Sequence, residues 1–275
     1  MLSVAAFLLL FAQYNCFLIL PRHNYTKEVL YPLTSDTPRN YGKIPIYFDW
    51  RDYDAVSPVK NQWHCAACWA FSVVANIESH RRIYLKSVDV LSEQFLIDCD
   101  TKQNGCAFGS ILQSFANIVS VFGGVLRDKD YPGYSDRQEK CRWYPSIGDS
   151  SHHMSPRPHP VPVIGFKRVE SDEKVMAAYL YTYGPLSAAI NSESMARYTK
   201  GIDEPTVENC NPKNLNHAVL IVGYSVYVDE TGKKTPYWVI KNSWGTEWGE
   251  NGYYYLVRGR NACGIASDVS FAYVA

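Results

Sequence analysis

At 275 residues the chain is long enough for one large domain or for two lobes sharing an interface. Hydrophobic residues make up 47% and charged residues 20%, a balance that suits a packed core and excludes a disordered chain. Formal net charge is zero, so no basic surplus points to nucleic acid or to an acidic membrane surface.

Residues 2–20 are almost all apolar, and the first charged side chain is Arg22. The stretch is long enough to look like a membrane span. Its N-terminal position and the cysteine usage downstream predict instead a secretory signal peptide over residues 1–20, although a positive n-region and a clean small-residue cleavage site are missing. Residues 21–45 are polar and carry several prolines, and they read as a linker or short pro-segment with a glycosylation sequon at Asn24-Tyr25-Thr26.

From residue 46 the pattern changes. Phe71, Val74, Ile77, Arg81 and Tyr84 recur at three- and four-residue steps and predict a helix over 68–86, buried in its N-terminal half. Ser92-Glu93 offers an N-cap and a first-turn acid for a helix over 91–99, and a third helix over 111–122 stops at Gly123-Gly124. Pro145, Pro156, Pro158, Pro160 and Pro162 mark 142–162 as an irregular crossing segment. A helix over 171–183 ends at Gly184-Pro185, and strands then dominate at 186–190, 218–224, 237–241 and 253–258, with a charged hairpin-like insertion at 229–236. Helices first and strands second predict an α+β protein with a helical lobe at about 46–150 and a β-rich lobe at about 151–275.

The chemistry concentrates in three places. Cys68 stands where the first helix begins, and a helix N-terminus favours a thiolate. Gln62, six residues upstream, can donate to an acyl-transfer oxyanion together with the Cys68 backbone N–H. His217 opens an apolar strand as the candidate base, Asn242 can accept from one of its ring nitrogens, and Trp244 can shield that bond from water. Each signal alone has a plainer reading: a small buried hydrophobe, a satisfied core histidine, a turn asparagine. Their occurrence in the order Gln, Cys, His, Asn favours nucleophilic catalysis.

Of the 8 cysteines, Cys16 lies in the leader and seven remain, so three disulfides leave one thiol, a candidate for reactivity. Cys65-x-x-Cys68 also fits a redox pair or half of a zinc site. Ser57-Pro58-Val59-Lys60-Asn61 before it is a poor strand for the former, and no second close-spaced pair supports the latter. No metal and no cofactor is expected.

Taken together these segments resemble the papain-like cysteine peptidases of the cathepsin L and B type. The likeness starts at Phe48-Asp49-Trp50-Arg51 and includes Pro58 through Gln62, Cys65 through Ser72, Leu91-Ser92-Glu93-Gln94, Gly105-Cys106, Asn216-His217-Ala218-Val219, Lys241-Asn242-Ser243-Trp244-Gly245 and Cys263-Gly264-Ile265-Ala266-Ser267. The resemblance implies a two-lobe papain-like fold with the active site in the cleft. It also implies Cys68 as nucleophile, His217 as base and acid, Asn242 as orienter and Gln62 as oxyanion donor. The disulfides it implies are Cys65–Cys106, Cys99–Cys141 and Cys210–Cys263, which leaves Cys68 free. Gly109 would pair with the substrate backbone by strand addition. Ala66 would wall the first specificity pocket, and Ile111, Ala189, Leu215 and Asp268 would line the second, where Asp268 predicts tolerance of Arg or Lys.

Several positions depart from the family pattern. Trp63, Ala66 and Phe108 each stand where relatives carry Gly. If the backbone at Trp63 needs positive φ, the side chain costs energy or shifts the loop. Only about twenty-five residues separate the leader from the peptidase region, too few for the stable helical pro-region of relatives. The resulting expectation is a monomeric, secreted or lysosomal cysteine endopeptidase acting on polypeptides, with protein inhibitors of the cystatin type and no nucleic acid as partners. The alternative is a catalytically weak papain-fold binding or regulatory protein, which Trp63, Ala66 and the short N-terminal segment favour. A thiol-disulfide oxidoreductase using Cys65 and Cys68 is a third reading.

Overall fold

A computed structural model of the chain describes residues 43–143 and 158–275 throughout and residues 17–18 by their backbone. The signal peptide, the sequon and most of the linker expected from the sequence lie outside these residues. Among the described residues no helix is long and apolar enough to cross a membrane.

The helices are α1 (Cys68–Leu85), α2 (Glu93–Cys99), α3 (Ile111–Asn117) and α4 (Glu173–Tyr183). The strands are β1 (Phe17–Leu18), β2 (Phe48–Asp49), β3 (Phe108–Gly109), β4 (Gly124–Val125), β5 (Val161–Val169), β6 (Leu186–Ile190), β7 (Ile202–Asp203), β8 (His217–Val228), β9 (Lys234–Lys241), β10 (Tyr253–Val257) and β11 (Val269–Val274). One nine-stranded sheet runs β4-β5-β11-β6-β8-β9-β10-β7, with β2 paired to β8. All its pairings are antiparallel except β10 with β7. The short strands β1 and β3 form a separate parallel pair.

Three helices have side-chain N-caps: Ser92 accepts from Phe95 N, Ser110 from Gln113 N, and Asp172 from Lys174 N and Val175 N. The longest, α1, has none. Its N-terminal dipole end therefore meets whatever occupies the cleft, and there Cys68 is the first helical residue.

Burial divides between two cores. The helical side packs Trp69, Phe71, Val74 and Ile77 of α1 against Phe95, Leu96 and Phe115. The β-rich side packs Leu180, Ile221, Trp238, Tyr254 and Phe271. Between them α1 is pinned to the sheet by buried polar groups. Ser72 Oγ donates to the Val219 carbonyl at 2.8 Å, and the Ser72 carbonyl accepts from Ser187 Oγ at 3.0 Å. Asn76 donates to the Pro185 carbonyl and accepts from Ala272 N, both at 2.9 Å. These bonds fix how the start of α1 sits relative to the start of β8.

Four sequence readings need correction. The helix expected over 111–122 is α-helical only to Asn117 and finishes as a π-turn, Ile118–Phe122, before Gly123 at φ 72°. Strand β5 begins inside the segment read as irregular, because Pro162 sits near the strand start, where a missing N–H is tolerated. Strand β11, buried along most of its length, carries no clear alternation and was not anticipated. The insertion expected at 229–236 is smaller: β8 extends to Val228 and β9 starts at Lys234, with Pro236 opposite Val226 inside the ladder.

Disulfides join Cys65 to Cys106, Cys99 to Cys141 and Cys210 to Cys263, the three pairs that the resemblance implies. The expectation of a free Cys68 fails. No described cysteine is free, and Cys68 is disulfide-bonded.

Candidate active site

The site forms where α1 starts, between the loop carrying Gln62 and the ends of β8 and β9. His217, the first residue of β8, is fully buried, and its Nε2 lies 2.8 Å from Asn242 Oδ1. An amide oxygen only accepts, so Nε2 carries the proton and Nδ1 bears the lone pair. Among the described residues Nδ1 has no hydrogen-bond partner. Burial lowers the His217 pKa to about 4, against the smaller opposing effect of the Asn242 bond. The ring is therefore neutral and presents a bare basic nitrogen. Trp244 covers it at 4.9 Å between ring centroids, and Trp248 meets Trp244 edge-on at 5.0 Å.

Gln62 is held on every side. Its backbone N donates to the Ser243 carbonyl at 2.9 Å, and its carbonyl accepts from the Tyr134 hydroxyl. Its Oε1 accepts from Ser243 Oγ at 2.7 Å, and Nε2 donates to the Cys65 carbonyl at 2.9 Å, an acceptor-only partner that fixes which end of the amide is nitrogen. One amide hydrogen remains for another acceptor.

Behind this constellation lies a buried charge cluster. Lys60 Nζ bonds Glu93 at 2.7 Å and Glu78 at 3.0 Å, while Lys241 Nζ donates to Ser57 Oγ at 3.0 Å and that hydroxyl donates to Glu78. Burial lowers Lys241 to about 8 and raises Glu93 to about 7, the latter against the pull of Lys60. The cluster joins the residues just before Gln62 and Asn242, so it positions both.

The substrate-binding candidates fall into two groups. Ile111, Ala189 and Leu215 share one apolar cluster, and the Asp268 carbonyl accepts from Ala189 N at 2.9 Å. Asp268 is buried and its carboxyl is raised above the ordinary aspartate value by that burial, with Arg168 opposing. Arg168 Nε approaches Asp268 Oδ1 only to 3.9 Å, and that oxygen has no hydrogen-bond partner among the described residues. On the other side, Ala66 N donates to the Cys106 carbonyl at 3.0 Å beside the Cys65–Cys106 bridge. Gly109 packs so closely on Trp69 that a Cβ there would lie 2.4 Å from its ring. The edge at Phe108–Gly109 accepts a strand: Phe17–Leu18 of the chain itself pairs there in parallel.

Sequence reasoning missed Arg168, which carries no local motif, and Ser72, whose hydroxyl sits inside an otherwise apolar helical stretch. The Cys65–Cys106 bridge removes the redox-pair reading of Cys65-x-x-Cys68.

The model of the family described as papain family cysteine protease matches residues 44–273. Cathepsin F of Drosophila melanogaster is 38% identical over 86% of this chain and 37% of its own length. Cathepsin O of Mus musculus is 38% identical over 89% of this chain and 73% of its own. The first curated relatives matched are covered over 37%, 65%, 58% and 61% of their length, so the chain spans less than two thirds of each. Among solved structures, digestive procathepsin L2 from the larval midgut of Tenebrio molitor superposes with a TM-score of 0.79 at 29% identity, over 99% of this chain and 81% of that one.

Proposed function

This chain belongs to the papain family of cysteine proteases, and on that premise we propose that it is an endopeptidase whose nucleophile is Cys68. The observation that carries the reading is the His217–Asn242 pair, which leaves a bare Nδ1 in a water-poor site beside the uncapped start of α1. Reduction must come first. A thiol reductant exchanges with the Cys68 disulfide, becomes oxidised itself and releases the sulfur as a thiol. Nδ1 of His217 then takes the thiol proton. The thiolate and imidazolium stabilise one another, which raises the low pKa of the ring, while the helix dipole favours the anion.

The thiolate attacks the peptide carbonyl carbon, and the carbonyl π electrons move to oxygen. Gln62 Nε2–H and the Cys68 backbone N–H donate to that oxyanion. Collapse breaks the C–N bond, His217 protonates the leaving amine, and the acyl group remains as a thioester. His217 next takes a proton from water, whose oxygen attacks the thioester and restores the thiol. The acyl-side chain of the substrate extends along Gly109, and its second side chain enters the pocket of Ile111, Ala189, Leu215 and Asp268. A lysosomal or extracellular location, a monomeric state and inhibition by cystatin-type proteins complete the reading. The disulfides fit an oxidising compartment.

The test is turnover of a fluorogenic peptide by the full chain, with and without a mild thiol reductant. Turnover is expected only after reduction, and it should vanish with iodoacetamide and in Cys68→Ser. A folded, reduced protein that reacts with iodoacetamide yet cleaves no peptide supports the binding-protein alternative.

A further inference from the structure

We propose that Trp63 forms a subsite for a large apolar side chain on the leaving-group side of the scissile bond; this rests on the peptidase reading above. The backbone at Trp63 has φ 47°, the left-handed region that disfavours residues with a Cβ. Strain of this kind persists where its surroundings enforce it, and it clusters at binding and catalytic sites. The surroundings here do enforce it. Trp63 N donates to Asn61 Oδ1 at 2.9 Å, while Asp136 accepts from His64 N at 2.7 Å and from Cys65 N at 2.8 Å. The ring is nevertheless 56% exposed, so it gains little from packing within the chain. A rigidly mounted, exposed indole is a low-entropy contact for a partner's side chain.

Its place in the fold identifies the partner. The leaving amine must reach His217, and Trp244 lies over that ring. The Gln62 loop runs antiparallel to the Trp244 segment: Gln62 N donates to the Ser243 carbonyl, Asn61 bridges Trp244, and Gly245 N donates to the Lys60 carbonyl at 3.1 Å. Trp63 is thus one residue from the proposed oxyanion donor, in the turn that follows the bridge between Asn61 and Trp244. Gly109 and the Asp268 pocket serve the acyl side. The departing segment therefore passes beside the exposed Trp63 indole, and a phenylalanine, tryptophan or leucine one or two residues beyond the cleaved bond is the occupant that such a wall selects.

The experiment uses internally quenched peptides with one acyl-side sequence, varying the first or second leaving-side residue among Phe, Leu and Gly. A short fluorogenic amide with no leaving-side residues runs alongside. The reduced full chain should cleave the Phe peptide about tenfold better than the Gly peptide in kcat/KM at one of the two positions. That ratio should fall to within about twofold in Trp63→Gly and in Trp63→Asn, which also tolerates left-handed backbone, and stay high in Trp63→Phe. Each ratio is taken within one enzyme, so a change in overall activity does not obscure it. An unchanged ratio in both variants, or no preference in the parent, overturns the subsite while leaving the peptidase intact. No turnover of any substrate, the short amide included, removes the peptidase reading and the subsite with it.

Discussion

Asp268, proposed to line the second pocket, has one carboxylate oxygen lacking a hydrogen bond among the described residues and only Arg168, at 3.9 Å, as a counter-charge. The Arg168 side chain is 58% exposed, so this loose pair is screened by solvent and holds the carboxylate weakly. A substrate lysine or arginine entering the pocket should displace that contact. Paired peptides differing only in a basic or an apolar residue at that position should show a clear preference shift in Asp268→Ala, with basic-substrate kcat/KM falling about tenfold and apolar turnover gaining. Equal preference in both enzymes removes the acid from specificity. At this scale the sequence is informative wherever a motif names a residue, as it does for Cys68, His217, Asn242 and Gln62. Trp63 was legible as a conditional strain, and its φ of 47° meets the condition. Arg168 was not legible, because its meeting with Asp268 depends on how two strands distant in sequence pair, with Ser270 opposite Arg168.

Among the elements, α1 carries the proposed nucleophile and β8 the proposed base, and Ser72 ties the two elements together. It lies one turn after Cys68 and donates to Val219, two residues after His217. Ser72→Ala should cost about 1 kcal/mol of stability. It should also lower kcat more than that loss explains, since a displacement of about 1 Å in a reacting pair is expensive. Urea midpoints and kcat measured on the same protein check this; normal kcat with reduced stability would make the bond purely structural. Helix boundaries were readable because their signals are local. Ser92 caps α2, and Lys86, at φ 55°, closes α1 in the left-handed conformation. The strands were read less well. Those central in a sheet lose the alternation that marks a half-exposed strand, and β5 also carries a proline that argues against it.

In the whole molecule, buried titratable groups outside the site shape the response to acid. His80 packs face to face on Phe271 at 5.5 Å and bonds the Pro185 carbonyl at 3.0 Å. Burial drives its pKa down to about 4, with the Pro185 bond opposing. The unfolded chain protonates this ring below about 6.5 while the folded chain refuses the proton. Its contribution is therefore complete above pH 6.5 and is lost as pH falls toward about 4. Asp100, at about 6, acts oppositely: burial makes the folded state hold its proton first, so acidification favours folding through it. Comparing the parent with His80→Gln across pH 4–7 isolates the histidine, and on the order of 3 kcal/mol of relative stability should disappear on acidification. A pH-independent difference would show that the ring titrates alike in both states.

The ionic knot of Lys60, Glu78, Glu93 and Lys241 has a mechanical corollary. Prising the halves of the molecule apart would break the Lys241–Ser57 bond that joins the knot to the sheet, together with the buried bonds of Ser72 and Asn76, and would leave polar groups without partners away from water. The groove therefore behaves as a fixed-width slot rather than a jaw. Whatever enters must fit by its own contour, and a bulky guest gains nothing from a yielding hinge.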